Sequence, residues 1–413
     1  MRQIVQNVKI YFNTIVLGGA MLRNYCIVAA TIRGQYCIFT VIKLYSIYNC
    51  FKMVDQRIKS LIFIVFFVSI TITSCVKDPE LGTPIISCGT PYSVTIPAQT
   101  PPMPIPEDNP MTVEGIELGR HLFYEKMLSG DNTLACAGCH LQSNAFADVN
   151  KFSIGIDGFA GTRGAMPIAN AAWADKYFWD GKANSLEEVV LFPIQSEVEM
   201  HESVFKAIKK LQNSDRYPAM FYHAFCDSTI TVENMAKAMA QFMRSIVSFN
   251  YRSLPNLGKD LRNSVQQRGL EVFQDETKGD CFHCHTLTTF TTNFDFFNNG
   301  LNEDPSLSPG LAGQTGDPND MGKFKTPSLL NLRHTAPYMH DGRFETLREV
   351  IDFYDTGFHV SPTLSADLLK HTQNGKPVPR AWTEQDKRDL IAFLITLSDD
   401  SLLNNPKWSD PFK

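Results

Sequence analysis

Two five-residue runs could do chemistry in this chain: Cys136-Ala-Gly-Cys139-His140 and Cys281-Phe-His-Cys284-His285. Two thiols about one helical turn apart can reach the two vinyl groups of a single haem and form thioethers. The imidazole that follows can then ligate the iron from one face. Zinc sites also use paired cysteines, but they need two pairs converging on one ion and give no reason for a histidine directly after both. With ten Cys and ten His in 413 residues, two chance matches are not a serious competitor. The motifs therefore predict two c-type haems, attached through Cys136 and Cys139 and through Cys281 and Cys284, with His140 and His285 as proximal iron ligands.

The elements that must position these motifs read as mostly helix. Ser185-Leu-Glu-Glu188, Thr346-Leu-Arg-Glu349 and Thr383-Glu-Gln-Asp386 are capping-box starts followed by apolar helical patterns. The last opens a C-terminal helix running through Leu390–Leu397. Met235, Met239, Met243 and Ile246 share one helix face, a stripe that predicts core packing rather than haem ligation. The motifs start 145 residues apart (281 − 136), room for one haem domain each, at 106–250 and 251–413. The polar stretch beginning at Asn250 would connect them. Bulk composition agrees: 44% hydrophobic residues and 29 Phe supply cores, and 38 basic against 43 acidic side chains exclude a large basic nucleic-acid surface.

Upstream, a short basic head (Arg57, Lys59) precedes the apolar run Leu61–Ser74 and then Cys75, the pattern of an export signal. Ile72-Thr-Ser-Cys75 resembles a bacterial lipobox, which would make Cys75 a lipidated residue anchoring a periplasm-facing protein. The signal is expected at 53–75, with Met53 as the true start and 1–52 as a mis-annotated leader. Nine prolines between Val76 and Pro110 predict an extended tether, placed at 76–105. Cys88 and Cys226 remain over. They could pair in an oxidising compartment or stand as two thiols, and the sequence leaves both open.

Further motifs surround the haem sites. Met111–Phe123 leads into Leu128-Ser-Gly-Asp-Asn-Thr-Leu-Ala-Cys136. Phe178-Trp-Asp-Gly181, Ser185–Glu188, Pro193, Glu199-Met200, Lys325-Thr-Pro-Ser-Leu329 and Thr335-Ala-Pro-Tyr-Met-His-Asp-Gly342 follow in order. Together they resemble the bacterial di-haem cytochrome c peroxidases and the related di-haem enzyme that matures methylamine dehydrogenase, over about 106–400. The resemblance implies two class I cytochrome c-like domains, each with one covalent haem, the first peroxidatic and the second accepting electrons. It also implies a calcium ion between them. Glu199 matches the acid/base that shuttles a proton between the peroxide oxygens, Trp179 the tryptophan between the haems, and Pro193 a residue of the peroxidatic pocket.

Three departures refine this expectation. Many relatives hold a distal histidine on the peroxidatic haem, but Ile156 stands there and no His occurs between His140 and His201. That iron is expected to rest open, with His201 packing or hydrogen-bonding instead. At the second haem, Tyr354 falls where peroxidases of the usual type supply Met, as in the maturation enzyme; Met321, Met339, and His359 or another His are the alternatives. For calcium, the carbonyl positions near Thr335 and Pro337 persist, but Gly164 follows Arg163 where an Asn is usual.

The resulting expectation is a lipid-anchored peroxidase reducing H2O2 with electrons from a small cytochrome c or cupredoxin, a homodimer being left open. Its rivals are a maturation-type oxidase acting on a protein and a di-haem electron carrier with no chemistry of its own.

Overall fold

The computed structural model describes residues 88–98, 100–249, 264–286, 292–380 and 382–413, together with three strands near the N-terminus. The chain divides into two units, Met1–Ile85 and Ile86–Lys413. In the first, β1 (Val5–Leu17), β2 (Ala20–Ile32) and β3 (Gln35–Val41) form an antiparallel sheet in the order β1-β2-β3. The export signal, Cys75, residues 76–87 of the tether and the connection at 250–263 lie outside the described residues.

The second unit contains α1 (Val113–Tyr124), α2 (Leu186–Val189), α3 (Leu191–Gln195), α4 (Val204–Gln212), α5 (Tyr217–Phe225), α6 (Val232–Ser245), α7 (Ser264–Gln274), α8 (Ala312–Thr315), α9 (Leu347–Asp352), α10 (Ala366–Leu369) and α11 (Glu384–Ile395). It is less helical than the patterning predicts. Long irregular stretches join the helices, because left-handed residues interrupt them: Asn132, Ala145, Phe146, Asn170 and Phe178 all have φ between 51° and 62°. A helix cannot continue through such positions. Where capping signals are present they act. Thr346 and Thr383 form complete capping boxes with Glu349 and Asp386. Ser185 caps α2 by accepting from the Glu188 N–H, while the Glu188 carboxylate reaches the Asn184 N–H rather than closing the box.

One packing device occurs twice. On α1, a Cβ added at Gly119 would lie 2.0 Å from the Ala238 carbonyl of α6, and on α7 a Cβ at Gly269 would lie 2.0 Å from the Asp389 carbonyl of α11. In both halves, therefore, the helix before the cysteine motif crosses a later helix backbone to backbone. Phe242 and Phe393, one turn beyond each contact, are fully buried. Around the first crossing Leu118, Leu122, Phe123 and the Met235–Met239 stripe form one core; around the second Leu270, Phe273, Ile351 and Leu390 form another. The methionines are thus core, as their spacing predicts.

Two long-range links were not legible from position. The chain end, placed with the second half by numbering, returns to the first core. Leu402 and Trp408 join that core, Trp408 Nε1 donates to the Ser245 carbonyl (3.1 Å), and the Tyr124 hydroxyl donates to the Trp408 carbonyl (2.8 Å). Cys88 and Cys226 form a disulfide across 138 residues, tying part of the segment expected as a tether to the end of α5.

Candidate active site

At the first motif, Cys136 and Cys139 are free thiols and His140 follows in a tight turn. The left-handed pair Ala145 and Phe146 bends the chain back so that the Phe146 carbonyl accepts from His140 Nδ1 at 3.0 Å. That bond favours the tautomer with the proton on Nδ1, the one in which Nε2 can ligate a metal. Burial lowers the pKa of His140, keeping the imidazole neutral as ligation requires, and pushes the Cys136 thiol up to about 12.

Glu199 sits on a loop held from several sides. It follows α3, where Pro193 occupies the first turn and so removes no helical hydrogen bond. Inside the loop, the N–H groups of Glu199, Met200 and His201 donate to the carbonyls of Ser196, Pro193 and Ser196. From outside, the Ile156 and Gly130 N–H groups donate to the Glu199 and Met200 carbonyls at 2.9 and 2.8 Å. Gly155 permits this contact, since a Cβ there would lie 2.3 Å from the Val198 carbonyl. Pro193 therefore supports the Glu199 loop through its carbonyl. Burial raises the Glu199 pKa, with the Lys182 ammonium opposing, and the Glu199 charge in turn reaches Cys136 and Cys139. The carboxylate is thus within electrostatic reach of both thiols of the first motif. Ile156, which the resemblance puts where many relatives carry a histidine, meets this loop through its N–H. His201 faces solvent, half-exposed, with Nδ1 2.5 Å from the Asp157 carboxylate, so it hydrogen-bonds as expected.

The second motif opens onto a cavity of about 230 Å³ lined by Cys281, Cys284, His285, Tyr354 and Met339, and by Trp179 from the first half. Trp179 is fixed by its indole N–H, which donates to the Gly164 carbonyl at 2.8 Å. Phe178, its neighbour, belongs to the packing around the first core, so this dipeptide links the two halves. Tyr354 lies on a single π-helical turn, Phe353–Gly357, after α9, a local widening common at functional sites. Asn299 Nδ2 donates to its hydroxyl at 3.2 Å and lies 3.6 Å from Met339 Sδ, so Tyr354 and Met339 share one corner of the cavity. Burial pushes the Tyr354 hydroxyl up to about 12. Of the alternative ligands, Met321 is outside the cavity lining and His359 is exposed.

Thr335 and Pro337 line the same cavity. Arg163 forms a 2.6 Å ion pair with Asp180, and the Gly164 carbonyl is occupied by Trp179. Among the described residues the one cluster of three acidic, His or Cys ligands within mutual reach is Asp280, His283 and Asp367, not the cysteine pairs. Lys370 and His283 each sit 2.7 Å from the Asp280 carboxylate, so that cluster reads as an ion-pair network. The two cysteine pairs do not converge, which removes the zinc reading. Unpaired thiols, a neutral imidazole at the first motif, and an apolar-lined cavity at the second all fit c-type haem.

Sequence reasoning quoted the Lys325–Leu329 and Thr335–Gly342 segments without assigning Lys325 or His340 a role. Lys325 is buried at the cavity, its N–H on the Trp179 carbonyl (2.8 Å) and its Nζ on the Lys176 carbonyl (2.9 Å), and burial pushes it down to about 8. The His340 ring stacks on Phe324 at 3.6 Å and lies 6.4 Å from Trp179.

The profile of the family described as di-haem cytochrome c peroxidase matches residues 113–254. The chain is 32% identical over 333 residues to cytochrome-c peroxidase IdrP1 of Pseudomonas sp. (strain SCT), an alignment covering 73% of this chain and 85% of that protein. It is 30% identical to methylamine utilization protein MauG of Methylophilus methylotrophus, covering 73% and 87%. The crystal structure of a MauG-like protein associated with microbial copper homeostasis superposes with a TM-score of 0.69 at 34% identity, covering 78% of this chain and all of that one. A match of this breadth, over residues that include both cysteine motifs, establishes that the chain belongs to the di-haem cytochrome c peroxidase family.

Proposed function

We propose that the chain is a di-haem peroxidase: H2O2, two electrons and two protons give two waters. When bound, the first haem supplies an iron that takes up peroxide and the second an iron that receives electrons. The observation that carries this reading is Glu199, its loop held by backbone bonds to Ser196, Pro193, Ile156 and Gly130, its pKa raised by burial, its charge felt by both thiols of the first motif, and the one histidine of that loop, His201, turned to Asp157. Its carboxylate takes the proton from one peroxide oxygen and returns it to the other, so that water leaves. Trp179, lining the second cavity yet covalently next to the first core, provides the path between the halves. The helix crossings at Gly119 and Gly269 support two cytochrome c-like domains, and Tyr354 is the favoured second ligand of the His285 haem.

The donor is a small cytochrome c or cupredoxin, and the protein works in the periplasm on a lipid anchor at Cys75. Calcium at the Thr335 and Pro337 carbonyls and a homodimer complete the reading. Metal analysis and sedimentation of the purified protein check these two. A second reading, oxidation of a protein side chain, is favoured by Tyr354 in the second cavity and by Ile156 in place of a histidine.

Stopped-flow mixing with peroxide separates the alternatives. Rapid oxidation of a reduced donor cytochrome supports the peroxidase. A long-lived oxidised species without donor turnover supports the protein oxidase, and no reaction leaves an electron carrier. In addition, the oxidised protein is expected to display a high-spin ferric signal from the first haem in electron paramagnetic resonance. A wholly low-spin spectrum would contradict an open site.

A further inference from the structure

A buried cation whose guanidinium has no ion-pair partner among the described residues lies at the second cavity. Arg380 is 5% exposed and lines the cavity, and its guanidinium forms no ion pair within 4.0 Å among the described residues. Taking a guanidinium out of water is costly unless an opposite charge or a full set of acceptors replaces the solvent. Part of that set is present. One terminal nitrogen, Nη1, donates to the Lys278 and Gly279 carbonyls at 3.1 and 2.6 Å, and the backbone N–H donates to the Asp355 carboxylate at 3.0 Å. These bonds clamp Arg380 to the residues immediately before the second cysteine motif. Its Nε, however, is buried without any partner, and so is the indole Nε1 of Trp382, which lines the same cavity. The guanidinium carbon lies 5.7 Å from the Trp382 ring centre. Two orphaned donors, one of them charged, two residues apart on one cavity wall, call for an acceptor that is anionic and arrives from the cavity.

The protein's own acids do not meet that need. Asp280 is buried nearby, but Lys370 and His283 each hold it at 2.7 Å. Asp355 is committed to Lys387 at 2.7 Å as well as to the Arg380 backbone. Lys325, the other buried cation of this cavity, already donates to the Lys176 carbonyl.

We propose that Arg380 and Trp382 form a carboxylate-binding subsite that holds a propionate of the second haem and thereby raises that haem's reduction potential. This rests on the reading that a haem is attached at Cys281 and Cys284. The electrostatics have a fixed sign. A propionate left unneutralised stabilises the ferric over the ferrous state, because its negative charge sits close to the iron. Donors that draw that charge away favour reduction and so favour electron entry. Arg380 and Trp382 are positioning residues: they act on the potential through the porphyrin edge and touch no substrate.

The test uses the full chain produced with both haems, as Arg380→Gln, Arg380→Lys and Trp382→Phe. Haem content by pyridine haemochrome comes first. Fewer than two haems in the wild-type protein would sink the haem reading itself, separately from this proposal. With two haems present, the midpoint potentials are measured by spectroelectrochemistry and the propionate bending band by resonance Raman. The expected result is a downward shift in the second haem's potential in Arg380→Gln, a smaller one in Arg380→Lys and Trp382→Phe, and an unchanged first haem. The propionate band should shift in the same order, a signature that a merely structural role would not produce. Trp382→Phe keeps the argument testable if Arg380→Gln fails to fold, since it removes one N–H and little volume. Unchanged potentials and an unchanged propionate band in fully loaded variants would overturn the proposal.

Discussion

Replacing Glu199 by Gln is expected to lower kcat/KM for peroxide by ~10²–10⁴-fold, the usual contribution of a positioned acid–base group, while both haems remain attached. The amide has nearly the same shape, and the loop is held by backbone bonds from Ser196, Pro193, Ile156 and Gly130, so the substitution leaves the fold in place. What disappears is a group able to accept a proton and give it back. The pH dependence sharpens the test. Burial raises the Glu199 pKa above the ordinary glutamate value, with Lys182 only partly opposing. Below that raised pKa the carboxyl is protonated and cannot serve as base, so wild-type kcat/KM should fall on the acid side at a pH higher than a solvated glutamate would give. The variant should show no such limb. Equal pH profiles in the two proteins would assign the proton transfer to another group.

The second large effect is on stability. Gly269→Ala is expected to destabilise the protein by about 1–3 kcal/mol, the range for forcing an extra group into a packed contact, read as a lower urea midpoint. The added methyl would lie 2.0 Å from the Asp389 carbonyl and 2.7 Å from Phe393 Cβ. A Cβ has no rotamer through which to escape, so α7 and α11 must separate. Replacing a helical glycine by alanine ordinarily gains up to ~1 kcal/mol of helix propensity, and the clash exceeds that gain. Gly119→Ala, facing the Ala238 carbonyl of α6, should behave alike. Gly313→Ala on α8 is the control: its nearest neighbour is Pro309 Cγ at 3.7 Å, an ordinary contact, and no loss is expected. If all three variants unfold at the same midpoint, the crossings are not close contacts.

The local devices were legible because they depend on a few consecutive residues. The CxxCH motifs, the Thr346 and Thr383 caps and the methionine stripe of α6 each follow from spacing alone. Their outcome needs only one turn of backbone to be correct. Tyr354 was singled out by alignment with relatives, whereas its π-helical turn and its contact with Asn299 depend on how 299 and 354 meet. Helical content was overestimated for a related reason. Apolar periodicity does not reveal where single left-handed residues such as Ala145, Phe146 and Phe178 will break the chain.

Sequence alone determined the chemistry that this chain can host: two thiol pairs, each followed by an imidazole, and one carboxylate inside a family motif string. Covalent spacing imposes that much without any fold. Tertiary structure decided what lies beside those groups. It paired Cys88 with Cys226, returned Trp408 to the first core, turned His201 out to Asp157, and brought Arg380 and Trp382 to one wall of the second cavity. Apart from the neighbours Arg380 and Trp382, whose cavity wall is completed by distant residues, these are contacts between segments tens to hundreds of residues apart. Burial and charge compensation set their energies, and those quantities exist only once the chain has closed on itself.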